Sequence, residues 1–415
     1  MTNVELLTIG DELLIGQVVN TNSAWMGVEL NKAGFIIKQI TSVSDNESDI
    51  INALDLARKR ANIILITGGL GPTKDDITKH TLCKYFDTPL VFDTKAYEKL
   101  VERFARYGRQ VSETNKHQAE LPQACKPIYN NNGTACGMWF ESGKNIFVSM
   151  PGVPFEMKAM MTDDIIPMLK EKFKPTNIIH KNVLTQGIGE SDLSDKIKEW
   201  ENSLPANMKL AYLPAPGMLR LRLTSIGDEE NLEGKANEQI ELLKPIIQNY
   251  IYGYGDETIE LVVGKLLSEK NKTLAIAESC TGGYLSHLIT SVPGSSKYFI
   301  GTVISYANKV KCEELGVDEK LFETVGAVSE EVVKQMAEGV MKKFNTDYAI
   351  ATSGIAGPAG GSEWKPVGTV CIAVASREKT ITKRFLLGND RLRVINVASN
   401  TALNMLRKLI SNQEL

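Results

Sequence analysis

The sequence predicts an α/β protein of several domains, and three observations carry that prediction. Apolar runs of strand length alternate with segments of helical spacing through most of the chain. The 415 residues exceed what one hydrophobic core usually holds, which leaves roughly two to four domains. Polar, glycine-bearing loops recur at the C-terminal ends of the apolar runs, where open α/β sheets bind their ligands.

Val4 to Ile9 reads as a first strand, followed by the turn Gly10–Gly16 with Asp11 and Glu12 in it. Asn20 to Lys32 has helical spacing and stops at Gly34. Phe35 to Ile40 is a second strand, Ser48 to Arg60 a helix, and Ile63 to Thr67 a third strand apolar enough to be buried on both faces. This rhythm predicts a layered domain on a parallel sheet. The third strand runs into Gly68-Gly69-Leu70-Gly71-Pro72-Thr73-Lys74-Asp75-Asp76, and a helix begins near Ile77. Gly68, Gly69 and Gly71 free the backbone to wrap a phosphate, Thr73 adds a hydroxyl, and Lys74 a positive charge. Asp75 and Asp76 suit a hard divalent ion that bridges phosphate oxygens. A tight turn with an Asp cap would share some of these residues, but glycines, hydroxyl and paired carboxylates coincide here at a strand end. The loop lacks Walker spacing. Asn130–Ala135 and Pro151–Pro154, which follows the strand Ile146–Met150, are further turns at the same end.

Past Lys174 the pattern changes to a strand (Lys181–Thr185), a helix (Gly189–Glu201), two strands (Lys209–Tyr212 and Leu219–Thr224) and a helix (Leu232–Asn249). A unit this small is expected to pack on a neighbour. Ile251 to Asp256 reads as the link into the last domain.

That domain starts with an amphipathic helix, Thr258–Ser268, and the strand Thr273–Ala277. The strand runs into Glu278-Ser279-Cys280-Thr281-Gly282-Gly283 and a helix from Tyr284. This loop holds two candidate nucleophiles, Ser279 and Cys280, and the N–H groups around Cys280 to Gly283 could face a developing oxyanion. An ordinary capped βα loop would look similar. Ile300–Ser305 is a strand that delivers Tyr306 and Lys311, and Ser329 caps a helix running to Lys343. Tyr348–Thr352 leads into Ser353–Ser362, Val367–Ala375 and Thr380–Leu387 pair, and Gly388–Arg391 opens the final helix. A serine nucleophile needs a proton acceptor. His287, two turns into the helix, points away, which argues against a Ser-His-Asp triad. A partly desolvated lysine is the alternative, with Lys311 and Tyr306 in reach and Lys309 as a rival for the lysine role. Ser353, Gly354, Gly361 and Ser362, with Lys365 or Arg391, form a candidate anion pocket.

Composition narrows the function classes. A net charge of −3 with no basic run argues against a dedicated nucleic-acid binder. No stretch reaches bilayer-spanning length, and no secretory leader is visible. Cys83, Cys125, Cys136, Cys280, Cys312 and Cys371 are scattered without a CxxC pair, which fits a reduced, cytoplasmic setting.

Two resemblances sharpen this picture. Gly68-Gly69-Leu70-Gly71 with Asp76-Ile77-Thr78 resembles the phosphate and metal loop of molybdopterin-binding domains, and Asp45 falls where that family has another site carboxylate. With Thr8–Leu14 and Met150–Pro154 added, the match is closer to the N-terminal domain of the CinA (competence/damage-inducible) family. The middle unit is similar to a KH-like fold but lacks a basic GxxG loop, so RNA binding is not implied. Ala277–Gly283, Tyr306 with Lys311, Gly326–Ser329, Ser353–Pro358, Gly360–Ser362, Lys365–Thr369 and Gly388–Arg391 are similar to the CinA C-terminal domain.

These resemblances imply a molybdopterin-binding-like three-layer α/β domain over 1–172, a KH-like α+β domain over 176–252 and an α/β deamidase domain over 258–415. They imply that the last is a nicotinamide-nucleotide amidohydrolase. It would convert nicotinamide mononucleotide to nicotinate mononucleotide and ammonia without a metal, with Ser279 as nucleophile and Tyr306 and Lys311 handling protons. The first would be an ADP-ribose pyrophosphatase using a divalent ion near Asp45 and Asp76, with Asp75 or Glu12 as further candidate ligands. A homodimer acting on free nucleotides is implied. A molybdopterin-handling protein, or a regulatory nucleotide-binding protein without deamidase activity, is the competing expectation.

Overall fold

The computed structural model describes residues 2–414. By contacts the chain falls into two compact units, one running to Ile179 and taking in Ile226–Leu232, the other comprising His180–Ser225 and the chain from Glu233 on.

The first unit is built on a six-stranded sheet in the order Ile36–Val43, Asn3–Ile9, Ile63–Thr67, Asn145–Met150, Gly137–Ser142, Lys126–Ile128. Strand alternation sorts its side chains into two cores. Leu7, Ile9, Ile64 and Ile66 join Ile50, Leu54 and Ala57 of the helix Glu47–Arg60. Val4, Leu6, Ile63 and Leu65 join Met26 and Leu30 of the helix Thr21–Lys32, together with Met157 and Met161. The expected parallel sheet holds for the first four strands only. Gly137–Ser142 and Lys126–Ile128 add on antiparallel, because Met138, Trp139 and Phe140 carry enough buried apolar surface to extend the sheet through a hairpin at Gly143. The turn expected after the first strand contains a short helix, Asp11–Leu14. Gly68 is required where it stands: its φ is +113°, and a Cβ there would lie 2.2 Å from the Ile9 carbonyl oxygen.

A four-stranded sheet, which belongs to the second unit from His180 to Ser225 and at its last strand, runs Met208–Ala215, Met218–Ile226, Ile178–Gln186, Ile251–Tyr254. Leu219, Leu221 and Leu223 meet Leu193 and Ile197 of the helix Glu190–Asn202 and Leu243 of the helix Leu232–Ile247. Ile251–Tyr254 is not a link but the fourth strand, antiparallel to Ile178–Gln186. Four residues with two glycine-bounded tyrosines were too short to show period-2 alternation. The expected packing on a neighbour is present: Leu184 and Tyr252 share a core with Ile259 and Val263.

The last five-stranded sheet runs Phe299–Ile304, Leu274–Glu278, Tyr348–Gly354, Thr369–Ser376, Thr380–Leu386. Leu274–Glu278 is parallel to both neighbours, and the remaining pairs are antiparallel. Leu274 and Ile276 face the helices Ile259–Glu269 and Arg391–Ile410, while Ala275 and Ala277 face the helix Glu330–Phe344. The alanines are small where that helix lies close. Gly339, on the same helix, serves a second close approach, to the end of the helix Asn308–Leu315 that carries Lys311. A Cβ at Gly339 would stand 1.9 Å from the Leu315 carbonyl oxygen. Gly339→Ala is therefore expected to cost about 1–3 kcal/mol, as overpacking does, read as a lower urea midpoint at unchanged m-value. Among the described residues, no helix is long and apolar enough to cross a membrane.

Candidate active site at the strand ends

Leu274–Glu278 is fully buried, and the chain that leaves its C-terminal end makes the site. Register puts Glu278 opposite Ile304 on one side and Thr352 on the other. Ser279 is thereby flanked by Ser305–Tyr306 and Ser353–Gly354. The Ser279 N–H donates to the Thr352 carbonyl at 3.0 Å and Ser305 N–H to the Glu278 carbonyl at 2.7 Å, so the loop root is clamped from both neighbours. Ser279 is 8% exposed, and among the described residues its hydroxyl has no hydrogen-bond partner. Cys280 is buried against Gly354, and burial pushes its thiol up to about 12. The thiolate, the reactive form, is scarce there near neutral pH.

The loop amides are mostly committed. Gly282 N–H donates to the Ser279 carbonyl, Tyr284 N–H to that of Thr281, and Gly283 N–H to the Glu278 carboxylate. Only the N–H of Cys280, which faces its own thiol, and that of Thr281 donate to no other residue among the described residues. The wider donor set expected over Cys280 to Gly283 therefore narrows to two, since Gly282 and Gly283 spend theirs on closing the loop.

Lys311 is not a solvated helix-start lysine. It is 1% exposed, and its ammonium donates to the carbonyls of Ser305 at 2.7 Å and Tyr306 at 3.3 Å. Burial pulls its pKa below the ordinary 10.5, against the two carbonyl bonds that favour the charged form. The rival Lys309 has a side chain 79% exposed and pairs with Glu313 at 3.6 Å. Tyr306 is 61% exposed, and its hydroxyl accepts from Arg391 at 3.3 Å. Neither Tyr306 nor Lys311 is hydrogen-bonded to Ser279; catalytic contacts in unliganded sites are often open in this way. His287 lies beside the ring of Tyr284.

The anion pocket does not assemble as expected. Arg391 donates to the Gly357 carbonyl at 2.8 Å as well as to Tyr306, which keeps it by the Ser279 strand end. Lys365 instead donates to the Val325 carbonyl and lines a different cleft with Ser329, Glu330 and Arg384, one that Arg391 does not border. Ser362 closes a turn on Lys365, Gly361 sits against Val367, and the Ser353 hydroxyl donates to the Ala327 carbonyl at 2.7 Å. Of the two alternative cations, Arg391 stays with Tyr306 and Gly357, and Lys365 lines the other cleft.

In the first unit, a cavity of about 500 Å³ is lined by Glu12, Asp45, Gly68, Gly69, Gly71, Asp75 and Asp76, within the usual size of small-molecule sites. The N–H groups of Gly69, Leu70 and Gly71 have no acceptor among the described residues. Asp76 accepts from the N–H and hydroxyl of Thr73, so both shape the loop. Asp45 and Asp11 each accept from the other's backbone N–H. Burial first, then the charges of Asp11, Glu12 and Asp75, raise the Asp45 carboxyl above the usual range. Among the described residues, no three His, Cys, Asp or Glu side chains converge as a metal cage. The donor set fits instead a cation held by one or two carboxylates and completed by ligand phosphates, as Mg²⁺ is commonly bound.

Residues 5–171 match the family described as "Probable molybdopterin binding domain", 180–253 the damage-inducible protein CinA KH domain, and 256–410 the CinA C-terminal domain. The chain is 46% identical over 405 residues to a CinA-like protein of Cytophaga hutchinsonii, covering 97% of each. The chain belongs to the CinA family. A CinA-like protein of Flavobacterium psychrophilum is 44% identical over 408 residues, covering 98% of each. Among solved structures, the competence/damage inducible protein CihA of Agrobacterium tumefaciens is 33% identical, with 37% of this chain and 94% of that one covered and a TM-score of 0.36. This CinA-family chain is thus a mixed α/β protein with a molybdopterin-binding-like N-terminal, a KH-like middle and a CinA C-terminal domain.

Two site features of this CinA-family chain were not read from its sequence. Glu156 and Gln118 border the first cavity. Glu156 accepts from Asn130 at 2.6 Å, and burial raises its pKa. Its place three residues into a helix opened by Pro154 was the available signal. The other is Glu278, whose carboxylate has no exposure at all.

Proposed function

We propose that the C-terminal domain deamidates nicotinamide mononucleotide. The observation that carries this reading is a free serine hydroxyl at a clamped strand end, beside a buried lysine whose charge is disfavoured. The Ser279 oxygen attacks the carboxamide carbon, and its proton passes to the neutral Lys311 amine, with the Tyr306 hydroxyl as relay. The N–H groups of Cys280 and Thr281 receive the oxyanion. The proton returns to the departing nitrogen and ammonia leaves. Water then attacks the acyl-serine, releasing nicotinate mononucleotide. Arg391, at the same end, suits the substrate's phosphate. Purified full-length protein incubated with nicotinamide mononucleotide should release ammonia stoichiometrically with nicotinate mononucleotide; no release ends this reading.

A second reading is favoured by the first cavity: cleavage of ADP-ribose at its pyrophosphate. The amides of Gly69 to Gly71 would cradle the diphosphate. Asp45 and Asp75 would share a divalent ion with it, and such an ion, when bound, neutralises phosphate charge. Asp76→Ala frees the Thr73 contacts that shape the loop. It is expected to reduce ADP-ribose cleavage at least tenfold while ammonia release stays within twofold of wild type. If the wild-type chain retains pterin and leaves ADP-ribose intact, the cavity belongs to molybdopterin handling instead. In this reading the protein works in the cytoplasm as a homodimer on free nucleotides, with neither nucleic acid nor membrane as partner.

A further inference from the structure

The helix Tyr284–Thr290 begins directly after the Ser279 loop, and its cap residue Gly283 offers no side chain. Its first amides nonetheless have acceptors: Tyr284 N–H donates to the Thr281 carbonyl, and Glu278 reaches forward to those of Gly283, Leu285 and Ser286. One carboxylate oxygen accepts from Gly283 N–H at 2.9 Å and Leu285 N–H at 3.1 Å; the other accepts from Ser286 N–H at 2.9 Å and from the Ser286 hydroxyl. The carboxylate is fully buried, its neighbours are N–H and O–H dipoles, and no ion pair involves it among the described residues. A buried carboxylate is tolerated only when its lone pairs are filled in this way.

This arrangement ties the residue before the nucleophile to the helix after it, so the five residues between form a closed ring. Two consequences follow. The helix start is already satisfied by an internal anion and does not attract a substrate anion, which leaves the phosphate to Arg391. The Ser279 hydroxyl and the free amides of Cys280 and Thr281 are also held in one mutual geometry by bonds that none of them makes. We infer that Glu278 is a positioning residue that fixes Ser279 against its two oxyanion donors; the inference rests on the deamidase reading for its reaction, not for its geometry.

The test compares wild type, Glu278→Gln and Ser286→Ala, all full length. Glutamine keeps the shape but replaces one accepting oxygen with a donor facing the Ser286 N–H. A misplacement near 1 Å costs about 10²-fold. The expected kcat for ammonia release therefore falls by about that factor in Glu278→Gln and by a smaller factor in Ser286→Ala, with KM within threefold in both. A second readout needs no natural substrate: the rate at which a fluorophosphonate labels Ser279 should fall in the same order. Variants that lose only thermal stability, with wild-type kcat and labelling rate, overturn the inference and leave Glu278 a structural cap. Should Glu278→Gln not fold, Ser286→Ala decides by the same two numbers. A wild-type chain that labels at Ser279 but releases no ammonia removes the substrate reading alone, and slower labelling of the variants still upholds Glu278.

Discussion

Ser279→Ala is expected to lower ammonia release from nicotinamide mononucleotide by about 10³-fold or more, with the overall fold kept. The size follows from what a nucleophile does: once it is gone, the residual rate comes only from binding and oxyanion donors. The fold should survive, because the hydroxyl makes no hydrogen bond among the described residues and alanine fills nearly the same space. The neighbouring thiol supplies the control. Cys280 is buried and its thiol is held protonated near neutral pH, so Cys280→Ala should keep the deamidase rate within a few-fold while costing some packing. The pair of measurements separates the two candidate nucleophiles. A Cys280→Ala enzyme that loses the rate while Ser279→Ala retains it would reverse the assignment.

Lys311 should govern the pH profile. As a general base it acts only when neutral, and burial lowers its pKa from 10.5. Wild-type kcat should rise with pH through a midpoint below that ordinary value. Lys311→Arg stays charged at all accessible pH and is expected to lose about 10²–10⁴-fold, the usual reach of general-base catalysis, and to lose the rise as well. Linkage gives an independent check. Burial disfavours the ammonium in the folded chain, so in this window the unfolded chain binds more protons, and unfolding free energy increases with pH. The increase runs from the depressed folded pKa up to about the unfolded value near 10.5; below both, the penalty is fully present. In Lys311→Met that part of the alkaline slope in the urea midpoint should vanish. A wild-type profile flat in both rate and stability across the window would show that Lys311 is not the titrating group.

The layered architecture was legible because burial leaves a local mark. Ile63–Thr67 and Leu274–Glu278 are solid apolar runs, fully buried as such runs predict, and Ser329 caps its helix as its position suggested. What escaped was pairing without a strong local mark. Ile251–Tyr254 and Lys126–Ile128 are short strands whose existence depends on the edge they add to.

The order of residues alone marked the α/β layering and the loop on which the chemistry is proposed, and the resemblance of its motifs marked the domain types and the family, since each rests on contiguous residues with a fixed local meaning. Only tertiary structure decided which lysine is buried, that Lys365 and Arg391 lie in separate places, and which two amides stay free. Those properties depend on desolvation and on hydrogen bonds between residues far apart in the chain, such as Ser279 with Thr352 and Ser305 with Glu278. A side chain's charge state and reach are set by what packs around it, which no run of neighbouring letters records.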